Sequence, residues 1–123
     1  MVKFTMTQKE LDDTLLKACE DGELLYIKAL LVAGASINAR DFDQWTPLHH
    51  AVDLGATDIT KFLIDNGSDI GAIGVDGLTP ADIAANHKYS NIAQMLSNAA
   101  EQQGHANRVT EERKDKGPPQ VGG

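Results

Sequence analysis

One cysteine and four histidines are the residues of this sequence best suited to nucleophilic catalysis or metal binding: Cys19, His49, His50, His87 and His105. Their spacing fits no established metal-ligand pattern, and neither a glycine-rich phosphate loop nor a nucleophile elbow accompanies them. We therefore expect no catalytic site, no cofactor and no metal centre. The chemistry of the chain should be that of binding.

The overall composition narrows the class of partner. The chain has 123 residues, is 41% hydrophobic and carries a formal net charge of −7. It can therefore bury one modest core, and it would repel nucleic acid and anionic membranes. A single cysteine allows no internal disulfide, and neither a secretory signal nor an apolar run of about 20 residues is visible. These features predict a cytoplasmic protein that can also occur in the nucleus.

The strongest pattern is an internal repeat with a period of 33 residues. The same residue types recur in register at helix starts, at small positions and at apolar positions. The recurrences include Thr46-Pro47 with Thr79-Pro80, Ala18 with Ala51 and Ala84, and Leu30 with Leu63 and Leu96. Such self-similarity predicts a tandem array of one structural unit.

The middle copy indicates the structure of that unit. Thr46 can cap a helix and Pro47 suits its first position, so a short helix is predicted over 47–54. Gly55 suits a left-handed stop. A second helix follows, with an apolar stripe at Ile59, Phe62 and Leu63. A turn-rich connector with short extended arms then leads to the next copy.

Two segments of the middle copy carry a family resemblance. The pattern D-x-x-x-W-T-P-L-H-x-A-x-x-x-G, followed by D-I-x-K-F-L-I-x-x-G-S-D-I, resembles the ankyrin repeat. The resemblance implies an all-α solenoid of about three helix-turn-helix repeats with β-hairpin finger loops. It places the repeats at about 8–38, 41–71 and 74–100, between a flexible N-terminus (1–7) and a polar, mostly disordered tail (101–123). It also implies that the His49 imidazole bonds nearby backbone.

The first copy and one turn depart from the pattern. Asp13 and Thr14 stand where Thr and Pro are expected, and Gln44 replaces the glycine that the next copy keeps as Gly77. A positive φ at Gln44 would cost about 1 kcal/mol relative to glycine. The polar face of the first helix, which opens with a capping-box pattern at Thr7, predicts that the first copy is an N-terminal cap.

A rigid stack presents its finger loops and its concave helix face as one surface, so we expect the partner to bind there. Phe42 and Trp45 are the predicted aromatic anchors, although Trp45 can instead lie flat against its own repeat. The acidic groups of Glu20, Asp21, Asp43 and Asp53 would steer a basic partner if they converge, and would otherwise only keep the surface soluble. The predicted contact residues are Phe42, Asp43, Trp45, Asp53, Leu54, Val75, Asp76, Leu78, Asn86 and His87.

The predicted function is a non-enzymatic protein–protein interaction module, a small adaptor or regulator that is monomeric alone. Val2-Lys3-Phe4 matches the V-x-F core of a docking segment in regulators of type-1 protein phosphatase. That resemblance implies an alternative, a regulatory or targeting subunit that docks through Val2 and Phe4. A structural subunit of a homo-oligomer is the third reading. The architecture also looks similar to myotrophin-type proteins.

Overall fold

A computed structural model describes residues 5–102, and this part of the chain folds into six α-helices without an assigned strand. The helices are α1 (Gln8–Asp21), α2 (Leu24–Val32), α3 (Pro47–Leu54), α4 (Thr57–Asp65), α5 (Pro80–His87) and α6 (Ser90–Gln102). Consecutive helices pack in pairs; α1, α3 and α5 form an inner layer, while α4 packs on α6 in an outer one. The all-α repeat fold predicted from the sequence is confirmed. The predicted flexible N-terminus and polar tail fall largely outside the described residues.

A threonine begins the first helix of every pair. Thr7, Thr46 and Thr79 each accept a hydrogen bond from the backbone N–H three residues later, and that later side chain bonds back to the backbone of the threonine. These reciprocal bonds satisfy N–H groups that have no partner within the helix. The predicted caps are confirmed, including the exact bounds of the helix over 47–54.

The stop between the two helices of each pair is a residue in the left-handed region. Gly22 and Gly55 adopt φ of 78° and 79°, as predicted for Gly55, and the third repeat places Lys88 there with φ of 63°. Gln44 also has a φ of 63°, which is the positive φ considered for its turn. A side chain with a Cβ atom is disfavoured in this region, and glycine is not.

We predict that Lys88→Gly raises the free energy of unfolding by about 1 kcal/mol, because glycine removes the left-handed penalty. The exposed Lys61 lies inside α4. The matched change Lys61→Gly should lower the free energy of unfolding by about 1 kcal/mol. Urea denaturation of the two variants measures both values. A loss of stability in Lys88→Gly would contradict the assignment of strain to this position.

Two columns of recurring residues form the core. Ala18, Ala51 and Ala84 are buried in the inner layer, where their small size lets α1, α3 and α5 approach closely. The second column consists of Leu30, Leu63 and Leu96, buried in the outer helices. Because each repeat hides these residues only against its neighbours, the fold depends on the stacking of all three.

In the first repeat, only helix α1 has the polar exposed face that is typical of a terminal repeat. Helix α1 begins at Gln8, so Asp13 and Thr14 lie in its interior rather than at a helix start. Helix α2 carries apolar side chains at its outermost positions, with Leu25 81% and Val32 89% exposed. The corresponding residues of the other repeats are polar: Asp58 and Asn91 for Leu25, and Asp65 and Asn98 for Val32. The prediction of a polar face concerned the first helix, and that polar character does not extend to α2.

Candidate functional site

Two tight loops precede the inner helices α3 and α5; we call residues 41–45 finger 1 and residues 74–78 finger 2. In finger 1 the Asp41 N–H donates to the Trp45 carbonyl at 3.0 Å, and in finger 2 the Gly74 N–H donates to the Leu78 carbonyl at 3.1 Å. An aspartate caps each turn, because Asp41 accepts from the Trp45 N–H and Asp76 accepts from the Leu78 N–H. Within residues 5–102 these hairpins are turns closed by hydrogen bonds, without the paired strands that the resemblance implies.

Hydrogen bonds also tie one finger to the other. The Val75 N–H donates to the Asp43 carbonyl at 2.9 Å. The Arg40 guanidinium donates to the Gln44 carbonyl at 3.0 Å and to the Ile73 carbonyl at 3.1 Å. The fingers are therefore held as one unit, with their tips in a fixed relation.

His49 lies under both fingers and is fully buried. Its Nδ1 accepts from the Thr46 N–H at 3.0 Å, which leaves the proton on Nε2, and Nε2 donates to the Leu78 carbonyl at 3.0 Å. The expectation that this imidazole bonds nearby backbone is confirmed, and the bond to Leu78 extends it to the following finger. Burial lowers the pKa of His49, since a charged ring would lose its hydration there.

The lowered pKa of His49 predicts a loss of stability in mild acid. As the pH falls below the ordinary value of 6.5, the unfolded chain takes up this proton before the folded one does. The contribution is fully present above pH 6.5 and is lost as the pH falls towards the folded-state pKa. We expect the free energy of unfolding to fall more steeply between about pH 7.5 and pH 5.5 in the natural protein than in His49→Asn.

All other titratable groups are common to both proteins, so the difference between the two slopes isolates His49. Asp41 does not interfere in this range. Burial acts to raise its pKa, but the hydrogen bonds from His50 and from the Trp45 backbone outweigh burial and lower the pKa below 3.8. Its contribution is present above that pH and lost below it. Equal slopes in chemical denaturation at several pH values would contradict the role given to His49.

A concave groove of about 520 Å³ lies between the end of α1, helix α3 and the two fingers. Many of the contact residues predicted from the sequence come together in it. Its lining consists of Glu20, Asp43, Trp45, His50, Asp53, Leu54, Val75 and Asp76. We refer to it below as the finger groove.

Trp45 forms one wall of the finger groove and is half-buried. Its ring stacks on His49 with 5.4 Å between centroids, and its Nε1–H donates to Asp76 Oδ2 of finger 2 at 3.2 Å. A Cβ atom at Gly74 would stand 2.5 Å from Trp45 Cδ1, so only glycine lets the indole rest on the second finger. One side of the ring therefore packs on its own repeat, as the alternative interpretation held, while another part lines the groove.

The other predicted contact residues lie around or outside the groove. Phe42 stands at the tip of finger 1 and is 100% exposed. Leu78 is half-buried and packs against the core. Asn86 and His87 are exposed at the end of α5, and His87 Nε2 lies 2.8 Å from Asp53 Oδ1. Val2 and Phe4 lie outside the described residues.

Four carboxylates surround the finger groove, from Glu20, Asp43, Asp53 and Asp76, and no lysine or arginine is among its lining residues. Of the acidic groups that the sequence analysis considered for steering, Glu20, Asp43 and Asp53 line the groove, whereas Asp21 is not among its lining residues. The sequence predicts a partly exposed polar helix position for His50, with a place facing the groove as the alternative, and His50 is among the lining residues. In the structure His50 Nε2 lies 2.7 Å from Asp41 Oδ2, a pairing that exists only because finger 1 folds back over α3.

Cys19 offers no reactive thiol. Its side chain is fully buried, and burial raises the pKa of the thiol to about 12. It is therefore protonated at neutral pH and a poor nucleophile.

In the range 5–102, no three histidine, cysteine or acidic side chains are grouped so as to hold a metal ion. No helix in that range combines the length and apolar character that crossing a bilayer requires.

Comparison with known proteins places this architecture in context. A family model described as ankyrin repeats in three copies matches residues 15–107. Protein phosphatase 1 regulatory subunit 12A of Rattus norvegicus is 39% identical over 104 residues, which is 85% of this chain and 9% of that protein. Protein phosphatase 1 regulatory subunit 27 of Mus musculus is 42% identical over 69 residues, 56% of this chain and 45% of that protein.

A relative with an enzymatic name also matches. The 2-5A-dependent ribonuclease of Mus musculus is 40% identical over 79 residues, which is 63% of this chain and 11% of that protein. In every one of these relatives the matched segment spans less than half of the relative's own length. What is shared is the repeat array.

Proposed function

Because the chain belongs to the ankyrin-repeat family, we propose that it is a non-enzymatic adaptor or regulator that binds a segment of a partner protein along the finger groove. Ankyrin repeats are generally non-catalytic interaction modules. The observation that carries the proposal is the set of exposed apolar side chains beside the groove. Phe42 is 100% exposed, Val75 68% and Leu54 47%. Aromatic side chains such as Phe42 dominate the energetics of many protein interfaces, and burial of Val75 and Leu54 would add in proportion to the apolar area removed from water.

The rigidity of the fingers supports the same function. A loop that must become ordered on binding loses conformational entropy, and this cost weakens the complex. Here the bond between Val75 and Asp43 and the two bonds of Arg40 hold the loops before any partner arrives. The finger groove is therefore preorganised, and burial of its apolar side chains adds directly to affinity.

The test compares two pairs of exposed apolar residues. The double variant Phe42→Ala/Val75→Ala removes the anchors of the fingers, and Leu25→Ala/Val32→Ala removes a similar apolar area from α2. Partners captured from cell extract by the natural protein are identified, and their affinity for each variant is measured directly. We expect at least a tenfold loss with the finger variant and little change with the α2 variant. A loss of affinity with the α2 variant alone would show that the partner binds at α2 and not at the fingers.

A second function is favoured by the phosphatase-related relatives. Two of the relatives reported above are named as regulatory subunits of protein phosphatase 1, and one match covers 85% of this chain. Val2-Lys3-Phe4 supplies a V-x-F segment of the kind that adds a strand to a sheet edge and fills two apolar pockets. In this alternative the chain is a regulatory or targeting subunit of a type-1 phosphatase.

A pull-down of the phosphatase catalytic subunit distinguishes the two functions. Val2→Ala/Phe4→Ala should abolish recovery, whereas Lys3→Ala should preserve it, because only alternate side chains of an extended strand enter the pockets. Equal recovery with all three proteins would dispose of the docking role.

We further propose that the chain alone is monomeric. Light scattering with a mass above 13.2 kDa would instead favour the homo-oligomeric subunit.

A further inference from the structure

The chemistry of the finger groove specifies more than the presence of a partner. We propose that the groove accepts a segment of the partner protein in which a basic residue stands beside an apolar one. The basic side chain would lie among the carboxylates of Asp43, Asp53 and Glu20, and the apolar one against Leu54 and Val75. This inference rests on the proposed interaction function and names the partner's chemistry.

The size and apolar lining of the groove set the first requirement. A volume of about 520 Å³ is large enough for two or three side chains of a bound segment. Leu54 and Val75 remain 47% and 68% exposed beside the half-buried indole of Trp45. A purely polar segment would leave these surfaces in water and gain nothing from them.

The charges set the second requirement. Asp53 meets the His87 ring, and Asp76 accepts from the neutral indole of Trp45 and from the Leu78 backbone. Within residues 5–102 the Asp43 carboxylate forms no ion pair with a lysine or arginine. Glu20 has only Lys17, at 3.4 Å in an exposed pair. Arg40, the basic residue nearest to Asp43 in sequence, keeps its charge but directs its guanidinium at the Gln44 and Ile73 carbonyls, and within residues 5–102 it forms no ion pair with a carboxylate of the groove.

Complementary charge therefore selects the occupant. A lysine or arginine entering the groove would be attracted by several carboxylates at once, whereas an acidic segment would be repelled. Such a field mainly raises the rate of encounter and discriminates against partners of the wrong charge. The apolar side chains then determine how long the complex lasts.

Trp45 provides the readout, since it is the single tryptophan of the chain and lines the groove. Its fluorescence is followed while synthetic eight-residue peptides are added. An alternating arginine–leucine peptide should bind at least tenfold more tightly than a glutamine–leucine or an arginine–serine peptide. Its affinity should fall with added salt, and a glutamate–leucine peptide should not bind.

A pair of charge variants locates the effect. Glu20→Gln/Asp43→Asn removes two charges from the groove and should weaken the arginine–leucine peptide at least fivefold. Asp65→Asn/Glu101→Gln removes two charges from the outer helices and should change the affinity by less than twofold. Thermal unfolding of both variants confirms that they remain folded.

The outcomes separate this inference from the proposed function. Equal binding of the arginine–leucine and glutamine–leucine peptides, or no fluorescence response to any of the four peptides, would overturn the inference. So would equal losses in the two charge variants, because the attraction would then be that of the whole chain. None of these results touches the proposed function, which fails only if Phe42→Ala/Val75→Ala retains its captured partner.

Discussion

Replacing His49 with alanine is expected to lower the free energy of unfolding by about 3 kcal/mol. The imidazole is fully buried and bonds the Thr46 N–H at 3.0 Å and the Leu78 carbonyl at 3.0 Å. Alanine would leave the buried Thr46 N–H without its partner and would remove one of the two hydrogen bonds that the Leu78 carbonyl accepts. It would also open a cavity in the space of the imidazole. A loss of this size is a large part of the stability of a small domain.

A second histidine provides the control. His87 is exposed and pairs with Asp53 at the surface, so His87→Ala should lower the stability by less than about 1 kcal/mol. Urea denaturation followed by circular dichroism measures both variants against the natural protein. Similar losses for the two histidines would show that the buried bonds contribute little to the stability of the stack.

The second large effect is expected from Ala51→Leu, which should lower the free energy of unfolding by about 3 kcal/mol. Ala51 is fully buried in α3, the central helix of the inner layer, and α3 packs on both α1 and α5. Three additional carbon atoms would force these helices apart or push side chains out of their preferred rotamers.

The same substitution at an exposed alanine isolates the effect of packing. Ala29 lies on the outer surface of α2, and the corresponding residues of the other repeats are the larger Phe62 and Met95. Ala29→Leu should therefore change the stability by less than about 0.5 kcal/mol. A small effect of Ala51→Leu in the same denaturation experiment would mean that the inner helices can separate at little cost.

Most of the fold could be predicted because its signals are local and repeated. A capping threonine, a glycine stop and a small residue in the inner helix act through neighbouring backbone, and the 33-residue period repeats each of them. The unforeseen features lack such a signal. Lys88 occupies a left-handed stop without being glycine, and α2 leaves Leu25 and Val32 exposed although their residue type predicts burial.

The candidate site was predictable in position but not in detail. The repeat register alone places finger 1, finger 2 and the end of α3 on a common side, so most of the groove could be named in advance. The dual role of Trp45, which packs on its own repeat and also lines the groove, could not be predicted, because it depends on Gly74 lying close beneath the ring. The pairing of His50 with Asp41 likewise requires the folded turn.

The bond from His49 to the Leu78 carbonyl bears on how such an array can gain or lose a unit in evolution. The His49 ring belongs to the middle unit and the Leu78 carbonyl to the following one. Deletion of the third unit would therefore also remove a hydrogen-bond partner from the second unit and destabilise it. A duplicated unit can be inserted without harm only if it brings its own carbonyl to the same place. Inheritance of the T-P-L-H segment is thus constrained by the neighbour downstream, and an isolated middle unit should not persist as a folded protein.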